Sequence, residues 1–215
     1  MDILLTHGYF LYDDPHELQV MRPYPPLGIL YISSYLKSKG FAVNVFDTTF
    51  SNMYAFETYV RETLPPVVGI YTNMMTKRNV LKMITFLKRL DIIIVLGGPD
   101  PPYYAEQYLK HGADVVIQGE GELTLEALLP HLRQYGLTGL DSIAGVKWLD
   151  DAGVLVENMP RPMIADLSSH PMPDREAIDI EAYMRVWKEN HGQSSVSVIQ
   201  ARGCPYTCTW CSHSV

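Results

Sequence analysis

All three cysteines of this 215-residue sequence, Cys204, Cys208 and Cys211, fall within the stretch ARGCPYTCTWC. Thiolates are soft ligands for zinc, copper(I) and iron–sulfur clusters. Structural zinc usually draws four protein ligands from two separated pairs. Here there is one compact triplet, with His213 as a candidate fourth ligand. The spacing also differs from that of the ferredoxins. A cubane held by three thiolates leaves one iron open to a small molecule, and this reading accounts for Cys-x3-Cys-x2-Cys. A zinc site completed by His213 and unliganded thiols stand beside it. Trp210 reads as an aromatic packed under such a loop.

A second group of residues is suited to receiving a ligand. Thr72-Asn73-Met74, Gly97-Gly98-Pro99-Asp100 and Gly119-Glu120-Gly121-Glu122 each follow a short apolar run. Glycines in such loops let the backbone approach a bulky ligand. A helix beginning at Glu122 would aim its positive end at the same place. Taken singly, these loops also read as a tight turn and an acidic helix cap. No Gly-x-Gly-x-x-Gly follows the first strand, which argues against a dinucleotide site.

The elements that position these loops alternate. Strands are expected at residues 3–5, 41–46, 67–71, 91–96 and 114–117, and helices at 26–39, 76–87, 103–110 and 123–135. Leu27, Leu30, Tyr31 and Tyr35 recur at helical spacing, Gly40 ends that helix, and Thr76 is placed to cap the next. Such alternation predicts an α/β fold, a doubly wound parallel five-stranded sheet in flavodoxin-type order 2-1-3-4-5. Ligands of such sheets bind at the carboxyl ends of the strands. Beyond residue 138 the pattern changes to a hairpin around Asp150-Asp151-Ala152-Gly153, a proline-rich connector over 160–173, an acidic helix over 176–188 and a strand over 195–201. The domain division is therefore 1–138, 139–173 and 174–215.

With 47% hydrophobic and 19% charged residues the chain is expected to fold around a sizeable core. A net charge of −7 and a pI near 5.4 disfavour nucleic acid as a partner. The strongest apolar run, residues 92–96, is far short of the roughly 20 residues of a membrane span. The N-terminus lacks the marks of a signal peptide. Clustered, odd-numbered cysteines then point to a reducing, cytoplasmic setting.

RGCPYTCTWCSH resembles the cluster loop of the radical S-adenosylmethionine (SAM) enzymes. The residues before it resemble the cobalamin-binding domain that a large subgroup of those enzymes carries. That subgroup includes the anaerobic magnesium-protoporphyrin monomethyl ester cyclase and many methyltransferases acting on unactivated carbon. YPPLGILYISSYLKSKG, VVGIYTNMMT, VLGGPDPP, DVVIQGEGE and PMPDREAID match its landmarks in order.

The resemblance implies a 4Fe–4S cluster on Cys204, Cys208 and Cys211, with SAM on its fourth iron and reductively cleaved to a radical. It implies cobalamin beside Pro26, Leu27 and Gly28, along Thr72, Asn73 and Met74, against Gly97, Gly98 and Pro99, and closed in by Gly119, Glu120, Gly121 and Glu122. Gly98 is expected where no side chain fits against the corrin. The implied partners are a small-molecule substrate and a one-electron reductant such as a flavodoxin or ferredoxin. The implied reaction is methyl transfer, oxidative cyclisation or rearrangement.

Two departures qualify this. Asp14-Pro15-His16-Glu17-Leu18-Gln19 lacks the glycine of the Asp-x-His-x-x-Gly that supplies a cobalt ligand in other cobalamin domains, so His16 is expected to be a solvated loop residue, and His7 equally unremarkable. The family's SAM-binding barrel needs well over a hundred residues beyond the cluster loop, so a fragment inactive by itself is expected. The rival readings are a corrinoid carrier or sensor without catalysis, and a radical SAM enzyme whose front domain has become a scaffold. Because the thiolates act as one ligand set, Cys208→Ala in the full-length enzyme should lose iron and SAM cleavage together; release of 5′-deoxyadenosine by that variant contradicts the assignment.

Overall fold

Apolar runs without alternation become strands covered on both faces. In the computed structural model, which describes residues 1–203 and Tyr206, β1 (Ile3–His7), β2 (Val43–Phe46), β3 (Val67–Tyr71), β4 (Ile93–Gly97) and β5 (Val115–Ile117) run parallel. Two antiparallel strands, β6 (Val146–Leu149) and β7 (Leu155–Glu157), complete a sheet of order β2-β1-β3-β4-β5-β6-β7. The five parallel strands take the expected order. The hairpin read beyond residue 138 continues the same sheet, with Ile117 opposite Val146. This pairing covers the edge that β5 would otherwise present. The cysteines, Trp210 and His213 lie outside the described residues.

Seven helices accompany the strands among the described residues: α1 (Pro15–Val20), α2 (Leu27–Ser38), α3 (Met53–Thr63), α4 (Lys77–Lys88), α5 (Ala105–Lys110), α6 (Gly121–Tyr135) and α7 (Ile180–His191). Side chains alternate across the sheet with period two. Leu4, Val68, Ile70, Ile94 and Leu96 therefore meet Phe56 and Val60 of α3, Met83 and Leu87 of α4 and Tyr108 of α5. Ile3, Leu5, Val67, Val95 and Val115 point the other way, onto Ile29 and Leu36 of α2 and Leu125 and Leu128 of α6. Gly69 makes room on this second face: a Cβ there would lie 2.8 Å from Cδ2 of Leu5.

Two of these helices were not expected from the sequence. α3 is capped by the Asn52 side chain, which accepts from the Ala55 amide at 2.9 Å. α1 starts from Asp14, which accepts from the amides of His16 and Glu17, with Pro15 at the first position. The expected strand over residues 195–201 does not form. Its backbone joins no ladder among the described residues, and Val196, Val198 and Ile199 stay exposed. One side-chain contact secures it, from Nη2 of Arg175 to the Ser197 carbonyl at 2.7 Å.

Helix α7 and the segment leading to it are fastened to α2 and to the loops after β1 and β2. Asp174 accepts from the Ser33 hydroxyl and the Lys37 ammonium, both at 2.6 Å, so its carboxyl sits below the usual range despite partial burial. The Trp187 indole N–H donates to the Pro23 carbonyl at 2.7 Å. Tyr183 is fully buried; its hydroxyl lies 2.6 Å from Oδ2 of Asp47 and 2.7 Å from Oγ1 of Thr49. Hydrogen bonds to a buried charge are costly to remove. Tyr183→Phe should lower unfolding free energy by about 1–3 kcal/mol, read as a lower urea midpoint at unchanged slope; an unmoved midpoint refutes this role for the hydroxyl.

Candidate functional site

Where β1 and β3 lie side by side, the chain leaves β1 towards α2 on one face and β3 towards α4 on the other. A crevice must open between such diverging connections, outside the carboxyl ends of the strands. It is present here as a cleft of about 1020 Å³, at the upper end of the volumes typical of small-molecule sites. The N-terminal ends of α2 and α4 border it, as do the 9–25 loop and residues 197–199. Both helix ends carry partial positive charge.

Pro26, Leu27 and Gly28 line the cleft, and at Gly28 a Cβ would meet no atom within 4 Å. Asn73 lines it from the other side. Its loop is held by the Asn73 amide, which donates to Oγ1 of Thr76 at 3.1 Å, and by the Thr76 amide, which donates to Oδ1 of Asn73 at 2.9 Å. Thr72 is fully buried and its amide donates to the Gly97 carbonyl at 2.8 Å, while Met74 is exposed. The loops after β4 and β5 stand farther along the same edge and do not line the cleft.

The glycines in these loops have different tasks. Gly97 and Gly119 face open space, with nothing within 4 Å of an added Cβ. Gly98 differs from its expected role. At φ +103° its Cβ would stand 2.4 Å from the Thr72 carbonyl oxygen, so the obstacle there is the protein's own backbone. Gly121 is likewise needed for packing, its Cβ position being 2.9 Å from Cδ1 of Ile32 on α2. Pro99 is exposed. Glu120 stands at the N-cap of α6 and Glu122 is buried in its first turn.

His16 is exposed and does not line the cleft, whereas Tyr9 and Glu17 do. The Tyr9 hydroxyl donates to Glu17 at 2.6 Å, and burial together with that carboxylate pushes the phenol up. His7, expected to be unremarkable, is a buried junction at the cleft floor. Its Nδ1 accepts from the Tyr9 amide at 3.2 Å, which leaves the proton on Nε2, 2.9 Å from Oδ1 of Asp47. Both ring nitrogens are engaged, so His7 offers no lone pair to a metal in the cleft. Burial pushes the Asp47 carboxyl up, but His7, Tyr183 and the Thr49 amide more than offset this and hold it below its ordinary value. Neither Asp47 nor Tyr183 was singled out from the sequence, since the contact between them spans 136 positions.

Arg202 is a further residue that sequence reasoning missed. Its guanidinium reaches Glu122 at 2.7 Å and Glu120 at 3.2 Å, over the ring of Tyr31. Among the described residues no cluster of three or more His, Cys, Asp or Glu side chains could hold a metal ion, and no helix is long and apolar enough to cross a membrane.

Residues 19–129 match the family described as the B12 binding domain. An uncharacterised methyltransferase of Pyrococcus horikoshii is 27% identical over 89% of this chain and 41% of its own length. The anaerobic magnesium-protoporphyrin IX monomethyl ester cyclase of Rubrivivax gelatinosus is 26% identical over 94% of this chain and 38% of its own. The chain thus spans about two fifths of these relatives. In fold it is similar to the cobalamin-dependent S-adenosylmethionine radical enzyme OxsB with aqua-cobalamin bound, at a TM-score of 0.66 and 21% identity over 80% of this chain and 24% of that one.

A side chain at Gly97 meets only open space, whereas one at Gly98 meets the Thr72 backbone. Gly97→Leu should therefore keep the melting temperature and weaken hydroxocobalamin binding at least ten-fold by visible titration, roughly what 1.4 kcal/mol of lost contact produces. Gly98→Leu should lower the melting temperature itself. Unchanged affinity in Gly97→Leu removes this loop from the site.

Proposed function

We propose, from the premise that this chain belongs to the B12-binding domain family, that it is the cobalamin-carrying portion of a radical SAM enzyme. The observation that carries this reading is the cleft at the β1–β3 switch point, lined by Pro26, Leu27 and Gly28 within the span matched to that family. The residues fit such a ligand: the space is large, Gly28 leaves the backbone bare in the cleft, Gly97 and Gly119 do so farther along the same edge, and helix ends border the opening. The names of the relatives, a methyltransferase and a cyclase, support methyl transfer or oxidative cyclisation on a small metabolite as the parent reaction.

In this reading residues 1–138 carry cobalamin, 139–173 form the hairpin that extends the sheet and the linker after it, and 174–215 begin the radical SAM part. When bound, cobalamin supplies a transferable methyl group or an electron, and a 4Fe–4S cluster on Cys204, Cys208 and Cys211 with SAM supplies the radical. The chain's own residues bind and orient. Gly97 and Gly119 provide bare backbone against the ligand. Asn73 and Thr76 hold the β3 loop at the cleft wall. His7, with both nitrogens occupied, and His16, outside the cleft, leave cobalt without a histidine from the front loops. A one-electron reductant of the flavodoxin or ferredoxin class and a reducing, cytoplasmic setting complete the scheme.

The test is anaerobic reconstitution of the full-length protein with hydroxocobalamin, iron and sulfide. Retention of cobalt and iron with SAM cleavage is the expected result. Cobalt retained without cleavage favours a corrinoid carrier, cleavage without cobalt favours a scaffold domain, and retention of neither metal ends the proposal.

A further inference from the structure

Glu120 and Glu122 put two carboxylates into one turn at the start of α6, with the Glu122 side chain 5% exposed. The positive end of the helix favours them. Their mutual repulsion and their desolvation still require a cation. That cation is Arg202. One of its nitrogens, Nη1, donates to Oε1 of Glu122 at 2.7 Å and to Oε1 of Glu120 at 3.2 Å, and the guanidinium carbon stands 5.1 Å from the centre of the Tyr31 ring on α2. The remaining oxygen of Glu120 accepts from the Ile164 amide at 2.6 Å. The linker, the β5–α6 loop, α2 and the segment before the cysteines therefore meet at a single guanidinium.

The contact bridges 82 positions, and Arg202 stands two residues before Cys204. The loop it grips cannot shift independently, because Gly121 already rests on Ile32 of α2. α2 in turn presents Leu27 and Gly28 to the cleft. On the other side of Arg202, Gly203 is confined by Met163, whose Cε would be 3.3 Å from an added Cβ. Packed contacts thus run without a gap from the cleft wall through α2 and the β5–α6 loop to the base of the thiolate segment.

We propose that Arg202 is a positioning residue that couples occupancy of the cleft to placement of residues 200–203, which lead to the cysteines. This rests on the reading that the cleft takes cobalamin. A ligand that settles α2 and the β5–α6 loop settles the two carboxylates, and these hold Arg202 and, beside it, Gly203. Coupling between sites is reciprocal, so holding Arg202 on the two carboxylates strengthens binding in the cleft by the same factor. Arginine suits the task because it stays charged and its weakly hydrated guanidinium can lie over the Tyr31 ring while Nη1 serves both carboxylates.

The experiment is amide hydrogen exchange on the full chain with and without saturating hydroxocobalamin, binding being followed separately by its visible spectrum. The ligand should slow exchange of peptides from residues 24–30 and, by about five-fold or more, of those covering 200–203, which do not line the cleft, since allosteric couplings commonly begin at that size. In Arg202→Gln the slowing at 24–30 should persist and that at 200–203 should vanish, with Arg202→Lys restoring part of it. Should Arg202→Gln fail to fold, Glu122→Gln breaks the same contact from the other side and should give the same loss. Slowing at 200–203 that survives either substitution, or is absent from the unsubstituted chain while 24–30 is protected, overturns the coupling. Absence of any cobalamin spectrum overturns the functional reading, and the coupling with it.

Discussion

One largely buried carboxylate, that of Asp47, ties together the parts of the molecule that bound the cleft. It accepts the Nε2 proton of His7 at the end of β1, the hydroxyl proton of Tyr183 on α7 and the amide of Thr49 after β2. A charge with so little access to water is stabilised where donors replace its hydration. Each donor thereby holds its own element against the same carboxylate. Because the carboxyl is held below its ordinary value, its contribution to stability is present above the usual carboxylate range. It is lost as pH falls through the lowered value.

Around this node the sheet edge is built from close backbone contacts, beside positions that carry no side chain. The β3 and β4 loops are joined by the Thr72 amide on the Gly97 carbonyl, with Gly98 turned through a left-handed conformation above them. Only glycine avoids collision with Thr72 there. The neighbouring bare positions, Gly97 and Gly119, then face outward from a rigid base. One glycine builds the shelf and the others leave it clear. The same division recurs at the helix ends, where Gly121 lets α6 approach α2 while Gly28 opens onto the cleft.

Much of this was legible in the sequence where the signal is local. Uninterrupted Ile-Ile-Ile-Val-Leu at 92–96 announces a strand buried on both faces, and the helix over Leu27, Leu30, Tyr31 and Tyr35 follows from spacing alone. The α3 signals, Asn52 as a cap and Phe56 with Val60 one turn apart, were also present. Residues 195–201 mislead for a physical reason: alternating Ser and Val states a preference for extended backbone, but a strand exists only where another edge receives its hydrogen bonds. His7 was misjudged because burial and two ring partners are properties of its surroundings.

The sequence by itself determined the alternation of strands and helices, the order of the parallel sheet and the edge at which its glycine-rich loops gather, because periodicity and connection handedness act over short stretches of chain. It also placed three thiols at a spacing suited to a cluster with an open iron. Tertiary structure alone decided which glycine supports and which one yields space, that His7 spends both nitrogens on its neighbours, and that Arg202 reaches Glu120 and Glu122. Those outcomes depend on distances between residues dozens of positions apart, and such distances exist only once the core has set how the layers stack.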